Sequence, residues 1–162
     1  MYKSRFPNNP GVYTLVIELV EVTTLQIGML GVQRFPEGHY AYIGSALGER
    51  STTLRNRVQR HLTRGKRKHW HIDYLLETDV SQVKAVLFTE TSDTIECSIS
   101  TAIERLEGAE IVVKGFGSSD CHSGCQSHLC FFPQTEFHDL VGRIASIYRP
   151  FGTPRHVEIK KL

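Results

Sequence analysis

The chain has 162 residues, enough to bury one sizeable core and too few for two ordinary ones, so a single domain is expected. With 40% apolar, 22% charged and 9% aromatic residues, it is not a wholly disordered, collagen-like or coiled-coil chain. The net charge of +2 does not by itself announce a nucleic-acid partner. Glu18 and Glu21 interrupt the most apolar stretch, Val12 to Val22, and no membrane span is expected. The N-terminal Met-Tyr-Lys-Ser-Arg-Phe-Pro has no apolar run behind it, which makes a cytoplasmic location the expectation.

Residues 11–22 are dense in Val, Ile, Leu and Thr on both alternating faces, the pattern of a central strand. A second strand is expected near 25–35, where Gly28 and Gly31 suggest a bulge or a close neighbour. Phe35-Pro36-Glu37-Gly38 marks a turn into a third strand at 39–46. The period then changes. Leu54, Val58 and Leu62 recur at four-residue steps, predicting an amphipathic helix over 52–64 that Gly65 ends. Trp70, Ile72, Tyr74, Leu75 and Leu76 suggest a shorter helical segment, and 83–89 reads as a strand. Ile95, Ile99, Ala102, Ile103 and Leu106 share one arc of a helical wheel, placing a helix at 94–107 with Gly108 after it. Beyond it the pattern predicts a strand near 110–114, a Gly/Ser/Cys loop over 115–127, a strand at 128–132, a helix around 136–147 and a terminal strand near 155–160. The sum is an α+β fold, a small and mainly antiparallel sheet flanked by helices.

Charge is distributed unevenly. Arg50, Arg55, Arg57, Arg60, Arg64, Lys66, Arg67 and Lys68 follow one another with no Asp or Glu among them. Such a run is either a solvated helix face or a phosphate-binding surface. At about 100° per residue with Leu54 at zero, Val58 and Leu62 lie at about +40° and +80°, while His61, Arg57 and Arg64 lie at about −20°, −60° and −80°. Arg57 and His61, at i and i+4, therefore border the buried stripe, where a guanidinium can face a cleft and bind phosphate oxygens bidentately.

Cys121-x3-Cys125-x2-His128, with His122 and Cys130 beside it, has enough soft ligands for Zn²⁺ but not the paired spacing of a finger, and reduced packing or loop cysteines are the simpler reading. A metal site can also be drawn from His69-x-His71-x-Asp73; in the simpler reading His69 extends the basic surface and Trp70 packs or stacks on a base. Ser118, Ser119 and Asp120 suit a turn, or a phosphate contact.

Two tyrosine segments precede the basic helix, Gly11-Val12-Tyr13 and Tyr42-Ile43-Gly44 followed by Ser45. Each alone is common at strand ends. Their order, followed by Arg57, His61 and Glu96, resembles the GIY-YIG nuclease superfamily, over roughly residues 11–107. The interval between the tyrosine segments is much longer than that superfamily's, which implies an inserted strand or hairpin. Tyr42-Ile43-Gly44-Ser45-Ala46, His69-Trp70-His71-Ile72-Asp73-Tyr74-Leu75 and Gly115-Phe116-Gly117-Ser118-Ser119-Asp120-Cys121 look like a poorly characterised branch of it, found alone or fused to base-excision repair enzymes. In this resemblance the nuclease-like core is followed by an extension over 108–162.

The resemblance implies a metal-dependent DNA endonuclease. Tyr13, Tyr42, Arg57, His61 and Glu96 would be catalytic, with Mg²⁺ or Mn²⁺ on Glu96. Gly44, Ser45, Arg55, Arg60, Arg64, Lys66, Arg67, Lys68 and His69 would contact DNA. A phenol with an ordinary pKa near 10 is a poor base, and a neighbouring guanidinium and metal would favour phenolate. His61 would orient a tyrosine or relay a proton. Glu96 has a competing local reading, because Asp93-Thr94-Ile95-Glu96 also fits a capping box. The alternative to an enzyme is an inactive nucleic-acid-binding module on the same scaffold.

Overall fold

The computed structural model describes residues 5–48, 52–119 and 121–160; Arg50 and Asp120 lie outside the described residues. The elements are β1 (Gly11–Leu19), β2 (Thr23–Gln26), β3 (Val32–Phe35), β4 (Gly38–Ala46), α1 (Leu54–Leu62), α2 (His71–Leu76), β5 (Ser81–Glu90), α3 (Glu96–Glu104), β6 (Leu129–Phe132), α4 (Phe137–Tyr148) and β7 (Arg155–Glu158). Five strands form one antiparallel sheet in the order β6-β4-β1-β5-β7, while β2 and β3 make a separate hairpin. The fold is α+β.

β1 is central and buried on both faces, which is why it lacks the apolar/polar alternation of a half-exposed strand. Tyr13, Leu15, Ile17 and Leu19 pack on the side covered by α1, α2 and Phe116, whereas Val12 and Val16 pack on the side of α3 and α4. Thr14, turned to this second layer, shares a hydrogen bond of 2.8 Å with the Tyr148 hydroxyl. On β5 the alternation slips by one residue. Val16 pairs with Ala85 but Ile17 pairs with Val83, so Lys84 is the extra residue of a bulge.

Two expected strands differ from those found. The stretch at 25–35 is a hairpin, β2 and β3 joined through a 3-10 turn at Gly28–Leu30 in which Gly28 and Gly31 take positive φ. It lies between the two tyrosine segments, on β1 and β4. The stretch at 110–114 forms a single bridge, Glu110 to Phe131, and no strand. Gly115 and Gly117, with φ of +79° and +67°, turn the chain here, where the Gly115 N–H donates to the Gln126 carbonyl and the His128 N–H to the Phe116 carbonyl.

Cross-strand register explains Gly44. It lies opposite Tyr13, and a Cβ on Gly44 would sit 2.4 Å from the Tyr13 hydroxyl oxygen. The close approach that this glycine permits is therefore that of the Tyr13 ring. Gly44→Ala is expected to cost about 1–3 kcal/mol through overpacking. Gly142→Ala, on an exposed turn of α4 where an added Cβ meets nothing within 4 Å, is expected to gain about 0.5–1 kcal/mol. Urea unfolding of both variants tests the pair.

Candidate active site

Tyr13 and Tyr42 project from adjacent strands to the same face, and α1 brings His61 down onto them. The Tyr13 hydroxyl and His61 Nε2 share a hydrogen bond of 2.7 Å. Tyr42 meets the His61 ring edge-on, with centroids 6.0 Å apart. All three are buried, but Tyr42 keeps 8% exposure against 2% for Tyr13, so Tyr42 is the phenol nearer to water.

Burial dominates their ionisation. Both phenols are pushed well above their ordinary value, first by loss of solvent; Arg57 lowers both and Glu96 raises both. The guanidinium effect expected from the sequence is present, and desolvation outweighs it. After burial, the largest influence on Tyr42 is Glu96, whereas on Tyr13 it is Tyr42. The imidazole of His61 is lowered to about 3, again first by burial, and it is neutral at ordinary pH. Its Nδ1 has no hydrogen-bond partner among the described residues.

Arg57 does not sit alone beside these rings. Its guanidinium lies 4.5 Å from the centroid of Trp70, and that of Arg60 lies 4.6 Å from the same ring. Trp70 also touches His61, at 5.9 Å between centroids. The indole is thus packed among protein groups. Arg60 further pairs with Asp73, a fully buried carboxylate whose Oδ2 also accepts from the backbone N–H groups of His69 and Trp70. Asp73 fixes the start of α2, and the metal site that can be drawn from His69-x-His71-x-Asp73 does not assemble among the described residues. His71 instead accepts from the Gly117 N–H at 3.0 Å.

The basic run divides by use. Arg55 donates to the Phe6 carbonyl, Arg64 to those of Thr78 and Ser81, and Lys66 to the Thr63 carbonyl and Glu77. These cations stitch α1 and the turn after it to neighbouring chain. Arg67, Lys68 and His69 are exposed and, with Arg60, line an open hollow.

Glu96 approaches from the other helical layer. It opens α3, in the first turn of that helix. The residue does not cap its own helix: Ile95 is the cap position and no side chain caps it. One carboxylate oxygen accepts from the Ser45 hydroxyl at 3.0 Å, and the other lies 3.3 Å from Nδ1 of His128. Ladder pairing of β6 with β4 ends at Tyr42, which leaves the Gly44–Ala46 edge open for this approach. Glu96, Gly117 and His128 line a shallow hollow there with Cys97, Cys121 and Ser123. Gly117 touches Tyr42, since a Cβ on it would lie 3.1 Å from that ring. Tyr13, Tyr42 and His61 are in direct contact, Arg57 joins them through Trp70, and Glu96 reaches the phenols through its field.

Cys97, Cys121, Cys125 and His128 place one ligand atom each within 4.8 Å of one another, a cluster that could hold a metal such as zinc. Cys97 was absent from the sequence pattern because helix and loop meet only in the fold. Cys130 and His122 do not join it: Cys130 is buried with the α3 and α4 core, and His122 is exposed.

Residues 12–149 match a domain of unknown function, DUF123. The chain belongs to the DUF123 family. No curated protein and no solved structure matches it. Within this DUF123 chain no helix among the described residues is long and apolar enough to cross a membrane.

The buried neutral His61 of this DUF123 protein has a measurable consequence. Its folded pKa, about 3, lies below the unfolded value of about 6.5. Between those values the unfolded chain binds more protons, so stability falls as pH drops below about 6.5, by up to about 1.4 kcal/mol per pH unit. Urea unfolding between pH 7 and about 4.5 is expected to show this slope, and His61→Gln is expected to flatten it.

Proposed function

We propose that this DUF123 protein is a metal-dependent endonuclease that hydrolyses DNA phosphodiester bonds, with damaged or branched DNA as the substrate class. The observation that carries the reading is the packing of two phenols from adjacent strands against His61, with the charges of Arg57 and Glu96 acting on both. The ordered resemblance to GIY-YIG nucleases supports it from the sequence side, as does the open hollow of Arg60, Arg67, Lys68 and His69 for phosphate.

A phosphodiester needs its charge screened, a water deprotonated and a leaving oxygen stabilised. Arg57, stacked on Trp70, offers its in-plane N–H donors to the scissile phosphate. Tyr42, the phenol that keeps contact with water, orients the attacking water. His61 packs edge-on against Tyr42, and the neutral imidazole gives Tyr13 a hydrogen-bond partner without adding charge. Glu96 is a single part-exposed carboxylate beside the Ser45 hydroxyl; this donor set fits Mg²⁺ or Mn²⁺ bound by few protein oxygens and several waters. Bound there, the ion would lower the pKa of the attacking water, whose proton passes to bulk solvent, and would neutralise developing charge on phosphate and leaving group.

A panel of supercoiled, single-stranded, flap and four-way DNA titrated with Mg²⁺ and Mn²⁺ tests the proposal. Cleavage is expected to require the metal and to fall at least about 100-fold in Glu96→Ala and Arg57→Ala, with thermal melting showing both variants folded. Salt-sensitive binding without nicks under any metal, and affinity unchanged in Glu96→Ala, would instead identify the inactive DNA-binding module.

A further inference from the structure

We propose that Cys97, Cys121, Cys125 and His128 hold a structural Zn²⁺, and that His128 ligates through Nε2 while its Nδ1–H holds Glu96. The donors are three thiols and an imidazole, the soft set that zinc takes in closed four-ligand sites and that Mg²⁺ does not. Zn–S bonds of about 2.3 Å set tetrahedral sulfurs about 3.8 Å apart. Here the Cys97 and Cys121 sulfurs are 3.3 Å apart and Cys97 Sγ is 3.9 Å from His128 Nε2. The cluster is thus near the size of a zinc tetrahedron.

Two further observations favour an ion. First, the segment from Gly117 to Gln126 contains no apolar side chain other than its cysteines, so burial cannot anchor it, yet Cys121 and Cys125 lie against the first turn of α3. A cross-link that uses cysteines and histidine supplies what the missing core contacts do not. Second, the two nitrogens of His128 face different partners: Nε2 faces the sulfurs and Nδ1 faces Glu96 at 3.3 Å. Metal on Nε2 fixes the tautomer with a proton on Nδ1, and that proton is donated to the carboxylate, the carboxylate–histidine–zinc arrangement of protein zinc sites. In this arrangement His128 is a positioning residue for Glu96. That second half rests on Glu96 being the ionic ligand of the proposed nuclease; the zinc centre does not.

The test is elemental analysis of the full chain purified without added metal, followed by exchange with Co²⁺ and visible absorption spectroscopy. Roughly one zinc per chain and a tetrahedral thiolate Co²⁺ spectrum are expected. Cys97→Ser and Cys125→Ser should each lower zinc content by at least about tenfold, and Cys130→Ser should leave it unchanged. A chain that neither carries zinc nor takes up Co²⁺, a Cys97–Cys121 disulfide in the native protein, or zinc undisturbed by Cys97→Ser would each overturn the site. If the serine variants fail to fold, the stoichiometry and spectrum of the unaltered chain decide. For the positioning role, His128→Cys keeps a four-ligand site but removes the donor to Glu96. Its zinc content is expected to hold while the Mg²⁺ concentration giving half-maximal cleavage rises several-fold, and an unchanged midpoint would overturn that role. A zinc-loaded chain that cuts no DNA would sink the nuclease reading and leave the zinc centre standing.

Discussion

A hydrogen bond buried between two layers, from the phenol of Tyr13 on the central strand to the imidazole of His61 on α1, sets how the helix sits on the sheet. Both partners are almost wholly out of solvent, and breaking such a bond leaves a polar group stranded at a cost of about 1–3 kcal/mol. The bond requires the Tyr13 ring to lie flat over the neighbouring strand, which is possible only because Gly44 has no side chain at the facing position. Tyr42, two residues before that glycine on the same face, then has no course but to meet the same imidazole. The tyrosine segments are therefore first a packing solution, and their chemistry is built on that packing.

The same economy governs charge. Asp73 is buried, so it must be paired, and Arg60 together with two backbone N–H groups supplies the pairing. Arg60 and Arg57 both lie over the Trp70 ring, and Trp70 in turn abuts His61. Positive charge near His61 is thus held in place by an aromatic ring and a buried carboxylate. Loss of solvent first, and then this positive charge, disfavour a protonated imidazole, against the opposing pull of Asp73. Much of the described part of a run that reads as a nucleic-acid surface is used in such contacts, and Arg67, Lys68 and His69 at the end of it line an open hollow with Arg60.

On the opposite side of the sheet, Glu96 links two chemistries of different hardness. Its carboxylate is held by Ser45 from the sheet and faces His128 from the loop, and the latter residue belongs to the sulfur-rich cluster. The early end of the β4–β6 ladder opens the strand edge through which this happens. The chain after residue 107 is thus part of the candidate site's wall, with Gly117 beside Tyr42 and its N–H donated to His71.

Much of the fold was legible from local pattern. The central strand, the helices starting near 54, 96 and 137, and the strands at 39–46 and 129–132 carry their own periodicity, and the candidate residues on β1, β4 and α1 follow from strand parity and the helical wheel. The hairpin at 23–35 was compressed into one strand, because its turn is made by a 3-10 segment that periodicity does not register. The apolar run at 110–114 looked like a strand, since a sequence window cannot see that the sheet edge offers it only one bridge.

Residue types and their spacing along the chain determined which groups have the chemistry: phenols, an imidazole, guanidiniums, a carboxylate and thiols. Only the tertiary structure decided which cations are already spent on carbonyls and Asp73, that burial overrides Arg57 at both phenols, and that Cys97 faces Cys121, Cys125 and His128 across a sequence separation of 24 positions or more. The reason is range. Helix and strand periods are set by neighbours a few residues away, whereas desolvation, ion pairing and ligand convergence depend on groups that are close only after the sheet and its two helical layers have closed.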